Sequence, residues 1–521
     1  MIKYDIRKNA YYDSVTLMLI SKEIKNIDGV TEALVGMGTE LNKELTANLN
    51  LITDQLSEIS VNDFYIAADV DSEEVMAVVI HTVDELLTKK KVESGSDYQP
   101  VSLSAALEVQ PEANMVVVSI PGKYAEEEVN KLLDNNLNVM LFSDNVSIET
   151  ELQLKQKAVE KGLLMMGPDC GTAIINGIPL AFANVVNKGN IGVVGASGTG
   201  TQEVTCLIDQ MGAGVSQVIG TGGRDLKSEI GGLMMIQAMD ALMADDKTDV
   251  IVLISKPPAP EVAEKILQFT KKTDKPVVVD FIGGDHSIIE SVGAYPCTTL
   301  EDAALKAVAL SKGEEPKEFN GFTIDNDVID NILATGLSKI KSDQKYLRGL
   351  YTGGTLADEA MKLLGHTFGG IYSNVPLEPK YELKSLTELT GHVCLDLGED
   401  QFTVGRPHPM IDPSTRSDRF VTDIDGEVAV VLVDVVLGYG SHLDPASEVA
   451  TSIASVRKNL AKKDKDIFVV ASITGTVGDP QGLTESTQTL EDAGIIVMPS
   501  NAQAVRLVKA FMSKLSGGQN E

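Results

Sequence analysis

The sequence predicts an α/β protein with two related doubly wound parallel sheets, preceded by a small α+β unit. Three observations predict it. From Asn114 onward, short apolar runs alternate with amphipathic stretches, the pattern of parallel strands joined by crossover helices. A strand, a Gly/Ser/Thr turn and a helix open one unit near Asn190, and the same order opens another near Leu347. A chain of 521 residues is also too long for one hydrophobic core.

A strand over 2–6 opens the chain, and Asp13-Ser14 caps a helix running to residue 25. Strands follow over 33–37 and 63–68, then a helix to residue 87. The Lys89-Lys90-Lys91 run and the polar stretch 93–97 read as a solvated linker. Past Asn114, strands are expected over 115–120, 139–143 and 163–166, separated by helices over 125–135 and 148–161. The loop Gly167-Pro168-Asp169-Cys170-Gly171 follows directly. Next, a buried strand over 191–194 runs into a glycine-rich turn at 195–200 and a helix over 201–211. Strands over 249–254 and 276–281 and a helix over 302–311 complete that unit. A polar bridge spans 312–344. The pattern then restarts with a strand over 347–351, the turn Thr352-Gly353-Gly354-Thr355 and a helix over 356–364. Later strands fall over 428–433, 467–473 and 495–498. The expected divisions are 1–95, 96–188, 189–315, a linker at 316–344, and 345–521.

Acidic residues outnumber basic ones by 75 to 44, a formal net charge of −31. That field repels phosphate backbones and argues against nucleic acid as a partner, while a local nest of N–H groups still admits small anions. No apolar run is long enough to span a membrane, and the first residues do not read as a signal peptide. The four cysteines, Cys170, Cys206, Cys297 and Cys394, show no CxxC spacing, which suits a reducing cytoplasm. Six scattered histidines make a catalytic metal an unexpected feature, and no Ser-His-Asp arrangement is evident.

The turn Gly195-Ala196-Ser197-Gly198-Thr199-Gly200-Thr201 carries the clearest chemical signal. Its glycines let successive N–H groups point at one spot, and the helix that follows adds positive potential. Ser197, Thr199 and Thr201 bring hydroxyl donors, so the turn suits a phosphate or carboxylate, or else serves tight packing. It lacks the Lys-Ser/Thr ending of a Walker A loop and the spacing of a dinucleotide fingerprint. Loops after parallel strands gather at one edge, which brings in Asp169, Cys170 and Gly171, then Arg224 and Lys256. Arg224 either clamps an anion or pairs with Asp225 or Glu229. In the second half, Gly353, Gly354 and Thr355 repeat the turn. The proline-stiffened loop 405–413 presents Arg406 and His408, the latter a general acid or base or a partner for a backbone carbonyl. Asp434, His442 and Asp444 form a weaker candidate region.

The segment from Asn114 to about Ser311 resembles the α chain of succinyl-CoA synthetase and related NDP-forming acyl-CoA synthetases. Gly167-Pro168-Asp169-Cys170 is similar to that family's Gly-Pro-Asn loop, and Ser197-Gly198-Thr199-Gly200-Thr201-Gln202-Glu203 to its phosphate-holding helix start. Over its whole length the chain resembles the FdrA family. The motifs include Phe142-Ser143-Asp144-Asn145-Val146, Gly222-Gly223-Arg224-Asp225-Leu226 and Ser255-Lys256-Pro257-Pro258. Leu350-Tyr351-Thr352-Gly353-Gly354-Thr355-Leu356 and Val404-Gly405-Arg406-Pro407-His408-Pro409-Met410-Ile411-Asp412-Pro413 extend the likeness into the second half.

The resemblance implies tandem Rossmann-like and flavodoxin-like sheets of the succinyl-CoA synthetase type. It also implies a cytoplasmic subunit of oxamate carbamoyltransferase in anaerobic purine and allantoin breakdown, working with companion subunits as part of an oligomer. That enzyme converts oxalurate and phosphate to oxamate and carbamoyl phosphate. Phosphate is then expected on Ser197 to Thr201, with Lys256 or Arg224 on the oxalurate carboxylate. Arg406 and His408 form a matching site or meet a companion. The expected ligands are small anions, phosphate or carbamoyl phosphate, and no cofactor is certain, with CoA as the alternative. Departures from the synthetases guide this reading. Their relay histidine sits in a Gly-His-Ala-Gly setting, whereas this chain has Gly283-Gly284-Asp285-His286-Ser287-Ile288. A synthetase glutamate is replaced near Lys256, inverting its charge, and neither the N-terminal CoA-binding turn nor an ATP-grasp domain is evident. The alternatives are a CoA-thioester-forming synthetase and a non-catalytic scaffold or regulator, with residues 1–95 as an assembly or regulatory module.

Overall fold

A computed structural model describes residues 1–517 apart from 9, 11, 13, 94–99, 101, 366, 404 and 405. The chain divides into two compact units, Met1–Ala113 with Asp400–Pro407, and Asn114–Glu399 with His408–Glu521. The expected cap at Asp13, part of the expected linker and Gly405 lie outside the described residues.

The first unit is a three-stranded antiparallel sheet in the order Ile2–Arg7, Phe64–Val70, Val30–Met37. Phe64, Ile66 and Ala68 alternate along the central strand and bury one face against Leu17, Ile20 and Ile24 of the helix Ser14–Lys25. Val79 and Val83 of the helix Glu73–Glu93 complete that core. The period-two pattern of the strand and the three-to-four spacing of the helices meet there. The Lys89-Lys90-Lys91 run is the end of this long helix, not a linker, because a charged helical end needs no break in the backbone hydrogen bonding.

The second unit holds three sheets. Met115–Val118, Asn138–Leu141 and Met165–Met166 form a small parallel sheet. A seven-stranded sheet is centred on Lys188–Ala196 and Val250–Ser255, with Val277–Phe281 beyond them and Val215–Gly220 on the other side. The hairpin Thr172–Ile175 with Ile178–Ala181 joins this sheet through Val215–Gly220, so pairing crosses the division expected at 188. The third sheet is parallel, in the order Val393–Asp396, Tyr346–Tyr351, Val428–Val436, Phe468–Thr474, Ile496–Met498. All nine residues of Val428–Val436 are buried, as expected for a parallel strand covered on both faces.

One continuous core joins the two larger sheets, taking Val193 and Ile254 from one side and Leu432 and Val470 from the other. Helix Asn326–Leu337 lies inside the span read as a polar bridge, and its Ile329 and Leu333 are part of this core. The apolar face outweighs the polar residues around it. Among the described residues no helix is long and apolar enough to cross a membrane.

The halves are also tied together reciprocally. Glu203 and Glu359 each stand six residues past the N-cap of their helices, Gly198–Gln210 and Gly354–Leu364. Glu203 accepts from Asn501 N at 3.0 Å, at the start of helix Asn501–Leu515 in the second half. Glu359 accepts from Leu300 N at 2.8 Å, at the start of helix Leu300–Ser311 in the first half. Each carboxyl thus serves N–H groups that a helix start would otherwise leave without an acceptor. Burial pushes both up to about 7.

Candidate functional site

The first glycine turn leaves strand Lys188–Ala196 with Ser197 extended at the N-cap of Gly198–Gln210. Ser197 Oγ accepts from Gly200 N at 3.0 Å, and Thr201 Oγ1 donates to Ser197 O at 2.5 Å. The loops 167–172 and 220–223 come to the same edge. They and the turn line a narrow slot of about 10 Å³, walled mainly by the backbone of Gly171, Gly195, Gly198, Gly220, Gly222 and Gly223. That volume admits one oxygen-sized group of an anion. A larger cleft of about 220 Å³ lies beside Lys271, Lys275 and Val277, at the amino end of strand Val277–Phe281, away from these loops.

Asp169 lines the slot with a left-handed backbone, φ +55°. Its carboxyl is pushed up to about 7, first by the desolvation that the surrounding loops impose and then by Asp144, although the side chain still opens to water. Cys170 is buried, and burial pushes its thiol up to about 12, which leaves no thiolate for nucleophilic work.

The second turn abuts the first. Ser197 Oγ and Thr355 Oγ1 are 2.6 Å apart, and a Cβ on Gly353 would meet Thr199 Oγ1 at 2.9 Å. Here the structure departs from the expectation that Gly353 holds a ligand. Asp434 already occupies the turn, accepting from Thr352 N at 2.8 Å, Thr352 Oγ1 at 3.0 Å and Gly353 N at 2.7 Å. Arg416 donates to Asp434 O at 2.6 Å and to Oδ1 at 3.1 Å, and both residues are buried.

Lys256 follows strand Val250–Ser255 and reaches the point where the turns meet. A Cβ on Gly354 would fall 3.0 Å from its Nζ and 2.2 Å from Asp396 Oδ2, so only glycine lets both groups approach. Lys256 Nζ stands 3.5 Å from Asp358 Oδ2 and 4.0 Å from Asp396 Oδ2, longer than the usual 2.7–2.9 Å of a charge-assisted bond. Burial opposes the charge on Lys256, but Asp358, Asp396 and Glu399 together outweigh it and hold the ammonium above its ordinary value. Asp396 is pushed up to about 7, by burial first, against the pull of Lys256. Asp358 is raised for the same reason.

Arg224 does not act as a free clamp. It pairs with buried Glu151 at 2.9 Å, rather than with Asp225 or Glu229, and donates to Val146 O at 2.8 Å. Lys155 bridges Glu151 and Asp225, each at 2.8 Å, so the arginine closes a buried ion network. His408 is half-buried beside Phe182, ring centroids 5.8 Å apart, and its Nδ1 accepts from Met410 N at 3.2 Å. Burial pushes the imidazole down to about 4, so it is neutral at physiological pH. Arg406 is exposed and belongs to the 400–407 segment of the first unit. His286 Nε2 lies 3.1 Å from Cys297 O.

Asp358 and Asp396 were not singled out from the sequence. Asp358 had one usable signal, its place one turn into the helix after Gly354. Asp396 ends a four-residue strand with nothing local to mark it.

A paired glycine turn on tandem parallel sheets defines a CoA-ligase-like α/β protein of the succinyl-CoA synthetase type. The CoA-ligase family matches residues 350–511 and the CoA binding domain family residues 186–283. The chain is 43% identical over 514 residues to the uncharacterized protein YahF of Escherichia coli K12, covering 98% of this chain and 99% of YahF. It is 25% identical over 222 residues to a succinate–CoA ligase [ADP-forming] subunit alpha 2 of Archaeoglobus fulgidus, covering 40% of this chain and 75% of that one. It is 29% identical over 175 residues to the ADP-forming sulfoacetate-CoA ligase subunit SqwL of an Acholeplasma species, covering 32% and 57%. The chain belongs to the FdrA family.

Residues 1–101 match a domain family described as AllF, heavy metal-associated domain. No residue here can supply the thiolate that a soft metal favours. The segment contains no cysteine, and its single histidine, His81, has a side chain 74% exposed on a helix. Among the described residues no cluster of three His, Cys, Asp or Glu side chains is placed to hold an ion.

Proposed function

We propose that this chain is the acyl-phosphate-handling subunit of an oxamate carbamoyltransferase, transferring a carbamoyl group from oxalurate to phosphate. The observation that carries the reading is Lys256. A loosely held ammonium stands where the two turns meet, positioned to take a substrate carboxylate directly. Phosphate seats against the first turn, Ser197 to Thr201, where glycine backbone and a helix start favour an anion. A phosphate oxygen attacks the carbamoyl carbon, the bond from that carbon to the oxamate nitrogen breaks, and the nitrogen takes a proton. Asp169 and Asp396, both pushed up to about 7, are groups that hold a proton near neutral pH. The turn hydroxyls of Ser197 and Thr199 and nearby N–H groups supply donors for the developing oxyanion. With Arg224 committed to Glu151, Lys256 is the cation for the oxalurate carboxylate.

A second reading is an acyl-CoA ligase, favoured by the CoA-ligase and CoA binding domain matches and by the ligase relatives. Under it, a small carboxylic acid would become a CoA thioester through the same anion site. Turnover separates the two. The full chain, alone and with its companion proteins, is incubated with oxalurate and phosphate, then with carboxylic acids, CoA and ADP or ATP. Oxamate and carbamoyl phosphate formed without CoA support the first reading. Thioester formation that requires CoA, with no oxalurate phosphorolysis, replaces it with the second.

A further inference from the structure

The two glycine turns are alike in sequence and geometry, yet only one of them contains its own anion. Each runs from a central parallel strand into a helix whose first residue is a glycine, Gly198 or Gly354. In the second half, strand pairing sets Val433 opposite Leu350, which brings Asp434 level with Tyr351, three residues before the helix. In the first half, pairing sets Ile254 opposite Gly195, also three residues before the helix. The same place in the sheet therefore carries a carboxylate in one half and an apolar side chain in the other. Ile254 packs into the shared core.

We infer that Asp434 is a built-in counter-anion that permanently fills the second turn, so that the chain takes one phosphate-class anion, at the first turn alone. Four donors converge on this single side chain: Thr352 N, Thr352 Oγ1, Gly353 N and Arg416, at 2.7–3.1 Å. Donors of this kind would otherwise suit a small oxyanion. Because the carboxylate is covalently part of the sheet, it does not leave with product. The second turn then remains in one shape while the first exchanges ligand, and it keeps Thr355 against Ser197 and Gly354 against Lys256 and Asp396. Asp434 is thus a positioning residue, and the second half is a fixed wall of the site instead of a second copy of it. The inference rests on the anion-binding reading of the first turn given above.

Two measurements on the full chain test it. Equilibrium dialysis with labelled inorganic phosphate is expected to reach one phosphate per wild-type chain, and two per chain would overturn the inference. In Asp434→Ala, the emptied turn and unpaired Arg416 should accept formate, so formate should raise the melting temperature of this variant and leave wild type unmoved. The isosteric Asp434→Asn, which keeps the turn filled, should not respond. An Asp434→Ala protein that formate moves no more than wild type would also overturn it. If Asp434→Ala does not fold, growth and refolding with formate should recover it, and failure to do so counts against the inference. A wild-type chain that binds no phosphate contradicts the proposed function instead, and the formate arm still decides the role of Asp434.

Discussion

The first and second glycine turns share a strand, a Gly/Ser/Thr bend and a helix start, but they answer the same electrostatic demand differently. At the first, Ser197 caps its own helix and three glycine-bearing segments leave a slot beside it. At the second, Asp434 and Arg416 fill the bend from within the protein. The lesson is that a glycine turn before a helix predicts a place for negative charge without saying whether the charge is a ligand or a side chain. Tertiary context decides that, through one position on the neighbouring strand.

The comparison is broken most severely by removing the inner cation. Arg416→Ala should destabilise the protein by about 3–5 kcal/mol, because it leaves Asp434 buried without its partner. Urea unfolding measures this, and a loss well below 1 kcal/mol would mean that the second turn does not depend on the pair. Next in size is Lys256→Met, which should weaken binding of an anionic substrate by about tenfold to a hundredfold. Unchanged affinity in calorimetry would remove Lys256 from the site.

The reciprocal glutamates sharpen the comparison through pH. Each is raised from 4.5 to about 7 by burial, so the folded chain holds protons that the unfolded chain has released in that window. Their contribution to stability is complete below about pH 4.5 and lost as pH rises through about 7. Glu203→Gln and Glu359→Gln should therefore flatten the fall in melting temperature between those limits relative to wild type. Parallel curves for variants and wild type would contradict the assignment. The smallest effect is expected for Ser197→Ala, about 1 kcal/mol of lost helix capping. A weaker affinity for phosphate should accompany it, and unaltered phosphate affinity would argue against the first turn as the ligand site.

Much of this architecture was legible because it is local. Uninterrupted apolar strands such as Val250–Ser255, and glycines set just before a helix, announce themselves within a few residues. The helix Asn326–Leu337 was obscured because Asp327, Asp330 and their neighbours dilute its apolar face, and only docking against the core reveals it. The gathering of loops at the candidate site was legible where they leave strands, at Ser197, Asp169 and Lys256. It was not legible where partners come from afar. Nothing near Arg224 in the chain points to Glu151, and nothing near Gly353 points to Asp434, which stands in another strand of the sheet. Asp396 is more distant still in sequence from the Lys256 it faces. These pairings depend on which strands neighbour one another, information that residue spacing does not hold.

The most direct test is calorimetric titration of oxamate, which carries the carboxylate assigned to Lys256, into the full chain and into Lys256→Met, with and without CoA. Saturable binding to wild type at one per chain is expected, strongly weakened in the variant and indifferent to CoA. Tight CoA binding with no response to oxamate would contradict this and assign the site to thioester chemistry.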